Sequence, residues 1–161
     1  MIRAATQADA GAIARIYNHY ILHTPITFEE DPLTDAAMAG RIAGLTAKGY
    51  PWLVAEEEGS IAGYAYAAAW KDRPAYRYSV EDSVYLAPEH TGRGLGARLF
   101  AELLAQVRQR GFHLVIGGIA LPNTASIALH EKFGLTKAAH FAEVGFKFGR
   151  WIDVGYWAGR P

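Results

Sequence analysis

Apolar side chains recur at helical spacing near the start of the chain, where Ala10, Ile13, Ile16, Tyr17, Tyr20 and Ile21 would bury one face of a helix. Thr6 followed by Asp9 resembles a capping box at its start, with Asp in place of the longer Glu, and Pro25 stops it. A second helix is predicted from Thr34 to near Gly49, with Met38, Ile42 and Leu45 as its apolar stripe. The pattern then changes. Trp52–Ala55 and Ile61–Ala69 read as two strands joined by a Glu58-Gly59 hairpin turn. A polar loop, Lys71-Asp72-Arg73-Pro74, leads to a third strand, Ser79–Leu86, closed by Pro88 because proline cannot continue a central strand.

Helical spacing returns after Gly92-Arg93-Gly94-Leu95-Gly96, where Leu99, Phe100, Leu103, Leu104 and Val107 form a buried face that ends at Gly111. A strand follows through Leu114–Ile119, then a helix opened by Asn123 or Thr124, carrying Ile127, Leu129 and Phe133 and ending at Gly134. Thr136 to Trp157 alternates as strands do, with a Gly-rich hairpin around Gly145 to Gly149. The predicted order is therefore helices first, then strands, then strand-helix-strand-helix-strand. There is no internal repeat, low-complexity stretch or linker, so residues 1–161 read as one mixed α/β domain.

Composition narrows the function classes. The 161 residues suit one domain with a full core, at 51% hydrophobic and 20% charged. Sixteen basic residues offset sixteen acidic ones, which argues against a nucleic-acid binder that relies on a general positive field. The absence of cysteine excludes disulfides, cysteine-based zinc sites and any mechanism that parks an acyl group on a thiol, and it suits a reducing compartment. The N-terminus lacks the apolar run of a signal peptide, and no stretch approaches the ~20 apolar residues that span a bilayer. The expectation is a cytoplasmic protein with no membrane partner. His19 and His23 could share a helix face, but no third ligand accompanies them, so packing rather than metal binding is expected.

The Gly-rich turn is the first candidate for chemistry. A strand that delivers glycines to a helix start presents outward backbone N–H groups and the positive end of a helix dipole, a cradle for phosphate oxygens. A nucleotide P-loop would continue Gly-Lys-Ser/Thr, whereas Gly96-Ala97-Arg98 follows here. A dinucleotide-binding turn would need G-x-G-x-x-G and an acid at the end of the next strand; the spacing is G-x-G-x-G and Leu114–Leu121 ends without one. The remaining readings are a pyrophosphate cradle for coenzyme A and a plain structural turn.

Val84-Tyr85-Leu86 followed by His90-Thr91-Gly92-Arg93-Gly94-Leu95-Gly96-Ala97 resembles the acetyl-CoA motif of the GCN5-related N-acetyltransferase superfamily. Thr91 stands where that motif has Arg or Gln, which removes a side-chain contact but leaves the glycine cradle. The resemblance narrows to the phosphinothricin and methionine sulfone/sulfoximine acetyltransferases. It is carried by Tyr17-Asn18-His19-Tyr20-Ile21, Tyr50 to Ala55, Val80-Glu81-Asp82-Ser83-Val84-Tyr85, Leu121-Pro122-Asn123, Leu129-His130-Glu131 and Gly145 to Trp151, in family order along nearly the whole chain.

The resemblance implies a central, mostly antiparallel twisted sheet flanked by helices and splayed at the acetyl-CoA strand, and a homodimer. It also implies acetyl-CoA as cosubstrate, held by Val84, Tyr85, Leu86, Gly92, Arg93, Gly94, Leu95, Gly96, Ala97 and Asn123. A backbone N–H between Val84 and Leu86 would polarise the thioester carbonyl at a β-bulge, and the pantetheine arm would add to the same strand. Lys132 is either a contact to a coenzyme A phosphate or a solvated lysine, and Asn123 a cofactor contact or a helix cap.

Glu81 matches the family's catalytic glutamate, against the bland reading of a surface strand residue, and without cysteine or a G-x-S-x-G elbow the economical path is direct attack by the amine. Asp82 is the neighbouring alternative, but alternation turns it to the other face. His130 stands where many relatives have a general-acid tyrosine; it is either the acid for the departing thiolate or a structural histidine. The acceptor would be a small amino-acid-like molecule touching Phe28, Lys71, Asp72, Arg73, Tyr76, Glu81, Asp82 and Ser83, with Tyr78 nearby, unless the Lys71–Arg73 loop is merely solvated. Lys147 and Arg150 would join the same pocket. Two other functions stay open at this stage: a non-catalytic acyl-CoA-binding module and a protein or peptide N-acetyltransferase.

Overall fold

A computed structural model describes residues 1–161. The chain runs β1 (Ile2–Ala4), α1 (Ala10–His23), α2 (Asp35–Ala47), β2 (Trp52–Glu57), β3 (Ser60–Ala69), β4 (Ser79–Leu86), α3 (Leu95–Gln109), β5 (Leu114–Ala120), α4 (Thr124–Lys132), β6 (Thr136–Lys147) and β7 (Arg150–Gly159). The strands form one seven-stranded sheet in the order β1-β2-β3-β4-β5-β7-β6. Every neighbouring pair is antiparallel except β4 and β5.

One element departs from the predicted order, because a strand precedes the helices. β1 is three residues long, too short to show alternation, and is held at the sheet edge by pairing Ile2 with Ala55. The start of α1 follows the Thr6/Asp9 pattern in part. Asp9 closes a 3₁₀ turn over Gln7–Asp9, and its carboxylate accepts the Thr6 N–H at 2.8 Å and the Arg3 guanidinium. The Arg3 hydrogen bonds hold its pKa down to about 2.

The sheet separates two cores. Leu99, Phe100, Leu103 and Val107 of α3 are fully buried against Leu53, Ala65, Ala67, Val80 and Val115. The alanines of β3 let α3 sit close to the sheet. On the opposite face Ile13, Tyr17 and Ile21 of α1 and Met38 and Ile42 of α2 pack on Trp52, Val54 and Tyr64. β4 serves both faces: Val84 and Leu86 pack toward α3, and Tyr85 packs among Tyr17, Tyr20 and Tyr64.

Candidate active site

The single parallel pairing is short, and the site lies where it ends. Ser79, Val80 and Glu81 pair with Leu114, Val115 and Ile116; past them, Asp82–Leu86 pair only with β3 and Gly117–Ala120 only with β7. The sheet is splayed there, as the resemblance implied. The expected bulge is not found in the β3–β4 pairing, whose register runs unbroken from Ala69↔Val80 to Gly63↔Leu86. The gap arises instead because β5 follows β7 away from β4.

A cleft of about 320 Å³ fills the gap, walled by Asp82, Ser83, Val84, Tyr85 and Leu86 on one side and by Gly118, Ile119 and Ala120 on the other. Asn123, which caps α4, and Ser126, Leu129 and His130 of α4 also line it, as do Gly92 and Gly96. Gly92 and Gly94 have φ of +74° and +76°, a backbone shape that disfavours any side chain. Arg98 is the first donor within α3, bonding the Gly94 carbonyl at 3.2 Å, so the N–H groups of Leu95, Gly96 and Ala97 are free of the helix ladder. An unpaired strand edge and a glycine cradle at a helix N-terminus fit the amide-rich arm and the pyrophosphate of coenzyme A.

The cofactor-binding expectations divide accordingly. Val84, Tyr85, Leu86, Gly92, Gly96 and Asn123 line the cleft. Gly94 and Ala97 flank Gly96 in the turn without lining the cleft themselves. The Leu95 side chain is buried in the α3 core, so only its N–H is available, while Arg93 and Lys132 are exposed and outside the cleft wall. Asn123 is a helix cap as well as a wall residue: its Oδ1 accepts the Ser126 N–H at 3.1 Å.

A second cavity, also about 320 Å³, opens on the other face of β4. Its wall includes Tyr17, Thr27, Phe28, Tyr66, Glu81, Ser83, Val154 and Tyr156, and it shares Asp82, Ser83, Tyr85, Gly118 and Ala120 with the cleft. Glu81 is half-buried, and burial, reinforced by the charge of Asp82, raises its carboxyl pKa above the ordinary value, with Lys71 pulling the other way. A Cβ on Gly118 would stand 3.1 Å from the Tyr156 ring and 3.3 Å from Glu81 Oε1, so the bare backbone gives both side chains their room.

Phe28 lies on Gly145 of β6, where a Cβ would come within 2.3 Å of its ring. Lys147 Nζ donates to the carbonyls of Thr24 (2.9 Å) and Thr27 (2.7 Å), tying the Phe28 loop to the β6–β7 hairpin. Tyr17 OH bonds Thr27 and Glu29 from behind. Among the acceptor expectations, Phe28, Glu81, Asp82 and Ser83 are brought together here. Lys71 is near enough to act on Glu81 by charge, but Lys71, Asp72, Arg73 and Tyr76 are exposed and outside the cavity wall, as is Tyr78. Tyr17, Tyr66, Val154 and Tyr156 were not among the sequence candidates; they read as core aromatics and strand residues. The Gly117-Gly118 pair inside a strand is the one sequence signal that marked a close approach.

His130 is 4% exposed and holds two hydrogen bonds. Its Nδ1 lies 2.7 Å from the Ser126 carbonyl, an acceptor only, so Nδ1 carries a proton. Its Nε2 lies 3.0 Å from Asp82 Oδ1. Burial alone would lower its pKa; the hydrogen bond and charge of Asp82, with the Ser126 carbonyl, outweigh it and raise the value above 6.5. Both ring nitrogens thus have partners within the protein, and the ring borders the cofactor cleft. The His19 and His23 rings lie 5.2 Å apart, tilted by 50°, on α1, and no group of three or more His, Asp or Glu is placed to hold a metal ion. No helix is long and apolar enough to cross a membrane.

Comparison with known proteins bears on this geometry. Residues 2–155 match the family model described as "Acetyltransferase (GNAT) domain". The chain is 43% identical to a phosphinothricin N-acetyltransferase of Streptomyces viridochromogenes over 97% of its own length and 85% of the relative's. It is also 43% identical to an L-methionine sulfoximine/L-methionine sulfone acetyltransferase of Salmonella typhimurium, over 96% and 91% of the two chains. A GNAT superfamily phosphinothricin acetyltransferase from Sinorhizobium meliloti, crystallised with acetyl-CoA, superposes with a TM-score of 0.96 at 41% identity, over 99% of this chain and 86% of that one. The splayed strands and glycine cradle are thus those of a known acetyl-CoA fold, and the chain belongs to the GNAT family as an acetyl-CoA-dependent N-acetyltransferase.

Proposed function

We propose that the enzyme acetylates the α-amino group of a small amino-acid-like acceptor of the phosphinothricin, methionine sulfone or methionine sulfoximine type, by direct attack with Glu81 as general base. The observation that carries this reading is the position of Glu81. It lines a cavity that meets the cofactor cleft across one strand, and burial raises its proton affinity. Acetyl-CoA supplies the activated acetyl carbon. Glu81 takes the proton of the entering ammonium, directly or through a water, and a raised pKa suits that task better than an ordinary carboxylate's. A backbone N–H on the unpaired edge between Val84 and Leu86 polarises the thioester carbonyl. With no cysteine in the chain, an acyl-thiol intermediate on the protein is ruled out.

The size of the cavity and the relatives' substrates support a free amino acid analogue as acceptor. Phe28, Tyr66 and Tyr156 wall its side chain. The β6–β7 hairpin exposes Phe141, Val144, Phe146, Phe148 and Trp151, which supports a homodimer formed through that hairpin. Light scattering on the purified chain tests the dimer, and a Trp151→Glu change is expected to give monomers. The acetyl donor is a cytoplasmic metabolite, in keeping with the cytoplasmic placement read from a cysteine-free chain.

A thiol-release assay with acetyl-CoA and a panel of acceptors tests the function: phosphinothricin, methionine sulfone, methionine sulfoximine and the common amino acids. Release is expected with the sulfone, sulfoximine or phosphinate acceptors. No release above the blank with any of them would overturn the reading.

A further inference from the structure

The segment between α1 and α2 carries two side chains that line substrate space. Phe28 walls the acceptor cavity, and Ile26 borders both that cavity and the cofactor cleft. No backbone–backbone hydrogen bond involves residues 25–29, so side chains from elsewhere hold this stretch in place. Tyr17 reaches it from α1, where its OH meets the Thr27 hydroxyl at 2.7 Å. Lys147 reaches it from β6, at the far end of the chain.

β6 meets the segment with one face: Gly145 and Lys147 are buried, while Phe146 between them is exposed. Gly145 leaves room for the Phe28 ring, which would stand 2.3 Å from a Cβ there. Lys147 is 2% exposed and does not line the acceptor cavity itself. Its Nζ donates to the carbonyls of Thr24 and Thr27, two neutral acceptors rather than a carboxylate. Burying an ammonium on such partners costs more than filling the same place with an apolar side chain, so stability alone does not account for it. What the ammonium does, and a methionine could not, is fix two loop carbonyls that bracket Ile26 and lead directly into Phe28.

We propose that Lys147 is a positioning residue for the acceptor: by holding the Thr24 and Thr27 carbonyls it sets Phe28 in the cavity wall, and so sets which acceptor side chains the cavity admits. The inference rests on the acetyl-transfer reading above. The effect of Lys147 passes through Phe28, whose ring occupies the Gly145 gap while the backbone beside it is held. Without the ammonium the two carbonyls turn to water and the ring is released from the gap. The acceptor then loses part of its wall. The cofactor cleft keeps its own, because β4, the glycine turn and α4 do not depend on this tie.

The test is a double-mutant cycle of Lys147→Met and Phe28→Ala. Each protein is read by steady-state kinetics with the best acceptor of the panel and with glycine, by acetyl-CoA calorimetry and by a thermal melt. Lys147→Met is expected to raise the acceptor KM about tenfold, with kcat and the Kd for acetyl-CoA within about threefold. The preference for that acceptor over glycine, as a ratio of kcat/KM, falls about fivefold, because glycine has no side chain for the wall to meet. Phe28→Ala alone raises the acceptor KM by a similar amount, and adding Lys147→Met to it costs less than about threefold more. The Tm of Lys147→Met stays within about 4 °C of the wild type.

A Lys147→Met enzyme with an acceptor KM within about twofold of the wild type would overturn the proposal. So would equal losses toward acceptor and acetyl-CoA, or a full tenfold loss in the Phe28→Ala background, which would place the action of Lys147 elsewhere. A Lys147→Met chain that fails to fold assigns the ammonium to stability and overturns it too. Phe28→Ala changes an exposed side chain, and an unaltered acceptor KM there sinks the proposal whatever becomes of Lys147→Met. A wild type inactive on every acceptor removes the acetyl-transfer reading and this one together; an active wild type with an unimpaired Lys147→Met removes this one alone.

Discussion

The cofactor cleft and the acceptor cavity meet at β4 but are built from different material. The cleft is largely backbone: an unpaired strand edge, two glycines at positive φ and the first turn of α3. The cavity is largely side chain, drawn from α1, the Phe28 loop, β3, β4 and β7. Backbone surfaces serve a substrate part that never changes, because almost any sequence keeps the same N–H groups in place. Side-chain surfaces can be altered one residue at a time, which suits an acceptor that differs among relatives.

The largest break in that comparison is expected from Glu81→Gln, which removes the base on the acceptor side and leaves the cofactor side untouched. It should lower kcat by about 10²–10⁴-fold with acetyl-CoA affinity, measured by calorimetry, unchanged. Equal losses on both sides would show that the two regions do not act separately. Gly145→Ala is next. Its Cβ would overlap the Phe28 ring, an overpacking cost of about 1–3 kcal/mol, so the acceptor KM is expected to rise about tenfold while the KM for acetyl-CoA holds.

Gly94→Ala gives the opposite pattern. At φ +76° an alanine costs about 1–2 kcal/mol, and acetyl-CoA binding is expected to weaken about fivefold with the acceptor KM unchanged. The smallest effect is a shift of pH profile. The base form of Glu81 is lost as pH falls, so the acid limb of kcat/KM lies above the ordinary glutamate range. Lys71 lowers that pKa, and Lys71→Met should move the limb to higher pH, read from kcat/KM across a buffer series; a limb that moves down would remove Lys71 from the neighbourhood of the base.

The same contrast explains what could be read from the chain alone. Glycine spacing, a closing proline and helical periodicity are local, and they placed β4, the turn and α3 closely; Ser79–Leu86 agrees at both ends. The opposite facing of Glu81 and Asp82 also followed from alternation. The bond from Asp82 to His130 spans 48 residues of sequence, and nothing local announces it. Tyr17, Tyr66 and Tyr156 come from three elements, and each alone looks like an ordinary buried aromatic. The charges of the Lys71–Tyr76 loop suit an anionic substrate, but the sequence does not show that the chain turns through Pro74–Tyr76 outside the cavity wall.

The tie from Lys147 to the Thr24 and Thr27 carbonyls gives the acceptor wall a foothold in the last strand pair, far along the chain from the cofactor machinery. Exchange of the β6–β7 hairpin between related enzymes would therefore transplant substrate preference as a cassette, without retuning the acetyl donor site.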